Sequence, residues 1–303
     1  MNSQVNSQVL VWLVVALFMV MPVASTIAQW EGREDLLADV EKTFGDPPGM
    51  VRLDPTSRAW ADKEHHRLVM DGYIALRNGQ LEMLACIVGT KEHESVVAVF
   101  SKAFVVHAGL LAIGVPQGKP VSWDPKYTPP TGGEVQVFAL WKDPDGKKQS
   151  IDVRKWVREI GTKDRTLETN FVFAGSMMWK DPDTGEERYM AESGDLICVS
   201  NFTTATLDVP MKSSQVNSGL MFATFTNRIP PEGTPIRLVL QFVEPEKTAD
   251  TRNDSANEGP NPVSTAVSGN LEIVPESNKE NQSQEAPSSA DPLESLFPKG
   301  NEN

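Results

Sequence analysis

The chain has 303 residues, 40% of them hydrophobic, enough for one sizeable core or two small ones. Its formal charge is −13 and no basic cluster accompanies the acids, which argues against nucleic-acid binding. Two cysteines are too few for an iron–sulfur cluster, which takes four ligands, so that cofactor is rejected.

The first 28 residues carry no charged side chain, and Val9 to Val23 is almost unbroken Val, Leu, Ala, Met and Phe. Thr26 and Ala28 supply the small residues two apart that a signal peptidase needs, so residues 1–28 read as a secretory signal. The expected address is periplasmic or extracellular. The apolar run is shorter than the roughly 20 residues of a bilayer-spanning helix, so the membrane is a partner only if this segment stays uncleaved.

Glu34–Phe44 predicts a short amphipathic helix with Leu36, Leu37, Val40 and Phe44 on one face and Gly45 as its stop. Asp46-Pro47-Pro48-Gly49 reads as a linker, which makes 29–59 an N-terminal helix and linker ahead of a domain over 60–243. Leu68–Leu76, Asn78-Gly79 and Leu81–Val88 predict a hairpin, since Asn-Gly supplies the positive φ angles of a type I′ turn.

Gly89-Thr90-Lys91-Glu92-His93-Glu94-Ser95 then places polar and ionisable groups between two apolar blocks, where they are costly unless paired or holding something. Lys91, Glu92, His93, Glu94 and Ser95 are therefore candidate ligand-binding residues. Ser101 can cap a helix over 102–114, ended by Gly114, whose apolar residues surround it and predict burial on most sides. His107 lies on an apolar face of that helix and is the sixth candidate.

Beyond it the strand-like runs are Glu134–Trp141, Asn170–Trp179, Asp195–Ser200, Gly219–Phe225 and Ile236–Phe242, with a helical turn or two over Val153–Ile160. Two Trp-Lys-Asp-Pro-Asp turns, at 141–146 and 179–185, place paired carboxylates beside Gly, a weak calcium pattern that turn propensity explains equally well. From Glu244 onward there are 12 acids and 4 bases, so −8 of the −13 sits in a Ser-, Asn- and Pro-rich tail that reads as disordered over 244–303. Its one apolar island is Leu293–Phe297.

The four histidines are His65, His66, His93 and His107. A metal reading joins His93, Glu94 and His107, for which imidazole and carboxylate suit a divalent ion, although no His-Glu-x-x-His or Cys-x-x-Cys spacing is present. A nucleophile reading pairs Ser95 with a histidine, but no Gly-x-Ser-x-Gly elbow surrounds it. The bland alternative is a solvated loop rim. Cys86 and Cys198 form either a disulfide closing a loop of roughly 110 residues or two buried thiols in strand-like runs.

The run Leu81–Val96 and the run Val106-His107-Ala108-Gly109-Leu110-Leu111-Ala112-Ile113-Gly114 resemble the YdjY-type domain family of exported bacterial proteins. Phe171–Ser176, Ile197–Phe202 and Ile229–Pro235 resemble its second half, so the likeness covers roughly 60–243. The resemblance carries no activity with it, and the label ferredoxin-like does not suit a chain with two cysteines. It implies that Lys91, His93, Glu94 and His107 share a purpose.

The readings combine into an exported α+β protein, mostly antiparallel sheet, with one buried helix and a short N-terminal one. The expected function is a non-catalytic binding or scaffold module of the cell envelope, its partner an envelope protein or a small ligand. The alternative is a metal-dependent hydrolase at His93, Glu94 and His107.

Overall fold

The computed structural model describes residues 30–216, 219–245 and 293–297. The chain divides into two units, residues 245–292 and the remainder, and every described helix and strand belongs to the remainder. The signal-like segment 1–28 and most of the tail lie outside the described residues.

Helix α1 spans Glu34–Phe44, as the periodicity predicts. Glu34 and Asp35 in its first turn and Lys42 in its last complement the helix dipole. Val40 and Phe44 are buried, and Gly45 at φ +57° ends it. The strands are β1 (Val51–Arg52), β2 (Ala59–Asp62), β3 (Arg67–Ile74), β4 (Gln80–Leu81), β5 (Met83–Ile87), β6 (Ser95–Val99), β7 (Glu134–Lys142) and β8 (Lys148–Asp152). They continue with β9 (Val157–Glu159), β10 (Phe171–Phe173), β11 (Met178–Lys180), β12 (Glu187–Tyr189), β13 (Ile197–Cys198), β14 (Leu207–Asp208), β15 (Phe222–Thr224) and β16 (Pro235–Phe242).

Eight of these strands close into a barrel in the order β3-β16-β7-β10-β14-β13-β5-β6, with β6 returning to β3. Closure happens at Gly72, which pairs with Val99. A Cβ there would stand 2.1 Å from the Ala98 carbonyl, so only glycine lets the two strands meet. The fold is mostly β with two α-helices among the described residues. The sheet expected to be mostly antiparallel is mixed: β5 runs parallel to β6 and β13 parallel to β14, while the other pairings among the described residues are antiparallel.

The predicted hairpin does not form. β3 pairs with β2, β16 and β6, while β5 pairs with β6 and β13, so the two expected partners never meet. Neither Asn78 nor Gly79 adopts a positive φ. Every residue of β3 is buried, and its seven-residue register with β16 outweighs a local turn preference.

Helix α2 spans Ala103–Ala112, with Lys102 rather than Ser101 at its N-cap position. Gly109 lets it lie close on the barrel, where a Cβ would meet Leu68 and Leu53 side chains. Val106 and Leu110 face the core, yet Phe104 and Leu111 are each 49% exposed. Burial on most sides is the expectation, and half of the helix meets it; on the open side Phe104 borders a large cavity.

The tail reading also needs correction at one point. Leu293–Phe297 is placed, with Leu296 and Phe297 buried against the core.

Candidate functional site

The loop that the sequence singles out spends its polar groups on itself. The Glu92 carboxylate accepts from Tyr73 Oη and from the Gly89 N–H, both at 2.8 Å, and from Arg33 Nη2 at 2.9 Å. Burial alone would raise its carboxyl, but Arg33, the Gly89 N–H and Tyr73 hold it below the ordinary value. Burial likewise opposes the charge on Lys91, yet Asp195 at 2.8 Å and Glu94 at 3.8 Å more than offset it and raise the ammonium pKa. Glu82 is buried behind them, its carboxyl pushed up by burial and then by the charge of Glu94. Ser95 Oγ donates to the Lys91 carbonyl at 2.8 Å, which occupies the expected nucleophile with backbone.

His93 is 78% exposed and touches only the Glu94 carboxylate, at 3.9 Å. His107 borders a different cavity, and Glu94 and His93 do not line it. Among the described residues no three His, Cys, Asp or Glu side chains are placed to hold a metal ion, so the expected His93–Glu94–His107 set is not assembled. The first carboxylate of each Asp-Pro-Asp turn is likewise committed: Asp143 Oδ1 accepts from the Asp145 and Lys147 N–H groups, and Asp181 Oδ1 from those of Asp183 and Thr184.

Cys86 and Cys198 are both free and buried, so the candidate disulfide is absent. Cys86 packs in the main core, whereas Cys198 packs with Met83 and Ala205 in a separate cluster. Burial pushes the Cys86 thiol up to about 11 and the Cys198 thiol well above its usual value, which keeps both as inert thiols.

A cavity of about 1010 Å³ lies between α2 and the separate β11–β12 hairpin. Gly175 at φ +88° and Ser176 at φ +55° turn the chain out of β10 into that hairpin. Their N–H groups donate to the Thr206 and Ala205 carbonyls, and Ser176 Oγ to the Thr204 carbonyl. The Gln117 amide packs where a side chain at residue 175 would sit. A non-glycine residue in the left-handed region, beside a cavity, is a feature that surrounding structure must enforce. On the return of the hairpin, the Glu192 carboxylate accepts the Phe104 N–H at 2.9 Å and caps the first turn of α2. The two walls are therefore tied together.

His107 stands between them. Its Nδ1 lies 2.9 Å from Tyr189 Oη in a hydrogen bond whose direction follows the imidazole tautomer, and its ring meets Phe173 and Tyr189 edge-on at 4.9 and 5.3 Å. Burial lowers its pKa, with the Gly175 carbonyl and the Gln117 side chain opposing, which favours the neutral ring. Burial also pushes the Tyr189 phenol up to about 12.

The mouth of the cavity is apolar and open. Met177, Met178 and Phe104 are 47%, 59% and 49% exposed and all line it. Glu186, Glu187 and Glu192 form an acidic rim, with Arg188 paired to Glu186 at 2.9 Å. Sequence reasoning placed His107 on the helix but missed the opposite wall. The available signal was Met177-Met178-Trp179, three large apolar residues running into a polar turn.

Among the described residues no helix is long and apolar enough to cross a membrane. A family model described as the YdjY domain matches residues 60–241. No curated protein and no solved structure matches the chain.

Proposed function

The chain belongs to the YdjY domain family, and on that premise we propose that it is an exported, non-catalytic binding module of the cell envelope whose ligand site is the cleft between α2 and the β11–β12 hairpin. The observation that carries the reading is the composition of the cleft: exposed Phe104, Met177 and Met178 around a few internally paired polar groups, His107, Tyr189 and Ser176. Apolar pockets with a small number of placed polar groups are the usual form of a ligand site. Methionine suits a surface that must adapt to its occupant. The polar groups that could act as base or nucleophile are engaged with one another or with backbone, which favours binding over turnover. The acidic rim favours a neutral or cationic apolar ligand over an anionic one. The exported address rests on the charge-free apolar start of the sequence.

Titration with Nile red, a neutral apolar probe, tests the site. Saturable binding with a blue-shifted emission is expected for the wild type, weakened at least tenfold in Phe104→Glu combined with Met178→Glu. Absence of binding to the folded wild type, or equal binding by the variant, overturns the reading.

A further inference from the structure

Away from that cleft the core holds a cluster of charge that no part of the proposed binding function uses. Arg58, Asp71 and Arg237 are all buried. Asp71 Oδ1 accepts from Arg237 Nε at 2.7 Å, and Oδ2 from Arg237 Nη2 at 3.0 Å and Arg58 Nη2 at 2.6 Å. Two guanidinium groups thus share one buried carboxylate. The nearest further acids are the exposed Glu41 and Asp46, 3.6 and 3.7 Å from Arg58 Nη1. The Gly45 carbonyl, at the negative end of the α1 dipole, accepts from both guanidiniums at 2.8 Å.

Arg237 Nη1 finds its acceptor elsewhere, in the Leu296 carbonyl at 2.7 Å. The segment that supplies this carbonyl is Leu293–Phe297. The Phe297 ring lies 6.4 Å from that of Phe44, Lys148 Nζ sits 5.3 Å over it, and the same ammonium is 3.6 Å from Glu294 Oε1. Leu296 and Phe297 are almost fully buried, yet the segment joins no sheet of the fold. One carbonyl on a buried arginine, two side chains in an apolar groove and one ion pair are how a short peptide docks on a domain.

We propose that this groove is a peptide-docking site that takes the Leu293–Phe297 segment of a second copy of the chain as well as its own. Residues 246–292 separate the segment from the last described residue before it. By residue count a chain of that length measures roughly 150 Å at its limit, so length alone does not confine the segment to its own copy. The contacts made in cis and in trans are the same, so the choice between them follows concentration: the tether favours the copy's own segment until the free concentration approaches the effective one, at most millimolar for a linker of this length. Exchange of an identical element is a low-cost route to a dimer.

The test uses the full chain, a full-length Leu296→Ala/Phe297→Ala variant whose groove is vacated, and a fluorescent peptide of residues 290–299. The peptide should bind the variant saturably and the wild type at least tenfold more weakly, because the wild type's own segment competes. A peptide carrying Phe297→Ala should not bind. By light scattering, wild-type mass should climb towards that of a dimer as concentration rises, while the double variant stays monomeric. No peptide binding to the folded variant overturns the docking site, and a wild type that stays monomeric up to the millimolar range overturns the second copy as occupant. If the double variant lacks the wild-type circular dichroism spectrum, Phe297→Leu takes its place in both measurements.

Discussion

Two regions of this molecule hold polar groups beside apolar walls, and they hold them differently. In the 89–95 loop the charges are many and consumed: Glu92 by Arg33, Tyr73 and Gly89, and Lys91 by Asp195 and Glu94. In the cleft the charges stand at the rim, on Glu186, Glu187, Arg188 and Glu192, and exposed Phe104, Met177 and Met178 line its mouth. The loop is a brace that fixes the start of α1 and the 190–195 segment to the barrel. The cleft is a surface with room for something else. A density of ionisable residues in a sequence therefore marks a place that must be paired. An open cavity marks a place that can bind.

The sharpest way to break the comparison is to remove the brace. Lys91→Met takes the one ammonium away from Asp195, Glu94 and the buried Glu82. Removing one partner of a buried ion pair costs about 3–5 kcal/mol, and partial exposure of Lys91 lowers the expectation to about 2–3 kcal/mol in urea unfolding. The loss should shrink on acidification. The Glu82 carboxyl is raised in the folded state, so between its ordinary value and the raised one the folded form holds more protons than the unfolded form, and stability rises as pH falls through that window. A variant as stable as wild type at pH 8, or a deficit that deepens towards pH 5, would show that the loop is not a brace.

The cleft should respond less in stability and with the opposite sign of pH dependence. His107→Ala deletes an imidazole packed on Phe173 and Tyr189 and leaves the Tyr189 hydroxyl with only the Gly175 carbonyl and Thr206 Oγ1, for an expected cost of roughly 1–3 kcal/mol. In the wild type the His107 pKa is depressed, so its contribution is fully present above the ordinary histidine value and is lost as pH falls through the depressed one. In thermal melts the advantage of the wild type over His107→Ala should shrink from pH 7.5 to 5. An advantage that stays constant over that range removes His107 as its source.

Much of the framework was legible and much of the site was not, for one physical reason. Elements fixed by local pattern match their sequence signals: α1 occupies Glu34–Phe44, β16 occupies Pro235–Phe242, and Gly114 at φ +90° ends α2. Pairings were invisible, because Asn78-Gly79 argues for a neighbour while β3 instead finds β16 more than 150 residues away. His107 was placed on the right helix, but its partner Tyr189 is 82 residues distant, and the exposure of Phe104 depends on a hairpin that leaves the barrel at Gly175-Ser176. The apolar island Leu293–Phe297 was visible in the tail; the buried Arg237 that receives it was not, since nothing local tells a strand arginine that faces solvent from one that faces Asp71.

The smallest expected effect belongs to the residue that chemistry alone would have ranked first. His93 carries an imidazole in the middle of a charged run, the obvious ligand or base. In the fold it is 78% exposed, and its one contact, with Glu94, is 3.9 Å long and open to water. Exposed ion pairs contribute little, and surface substitutions away from packed features usually stay within about 0.5 kcal/mol. His93→Ala should therefore match wild type in urea unfolding to that margin and bind Nile red equally well, while a panel of divalent ions shifts the melting of neither protein. The contrast with Lys91, two residues earlier in the same run, is the comparison at its finest grain: near neighbours in sequence, one side chain paired with Asp195 and one in solvent. A loss of more than about 1 kcal/mol in His93→Ala, twice the margin for a surface site, or an ion-induced stabilisation that the substitution abolishes, would move His93 from the rim of the brace into a working site.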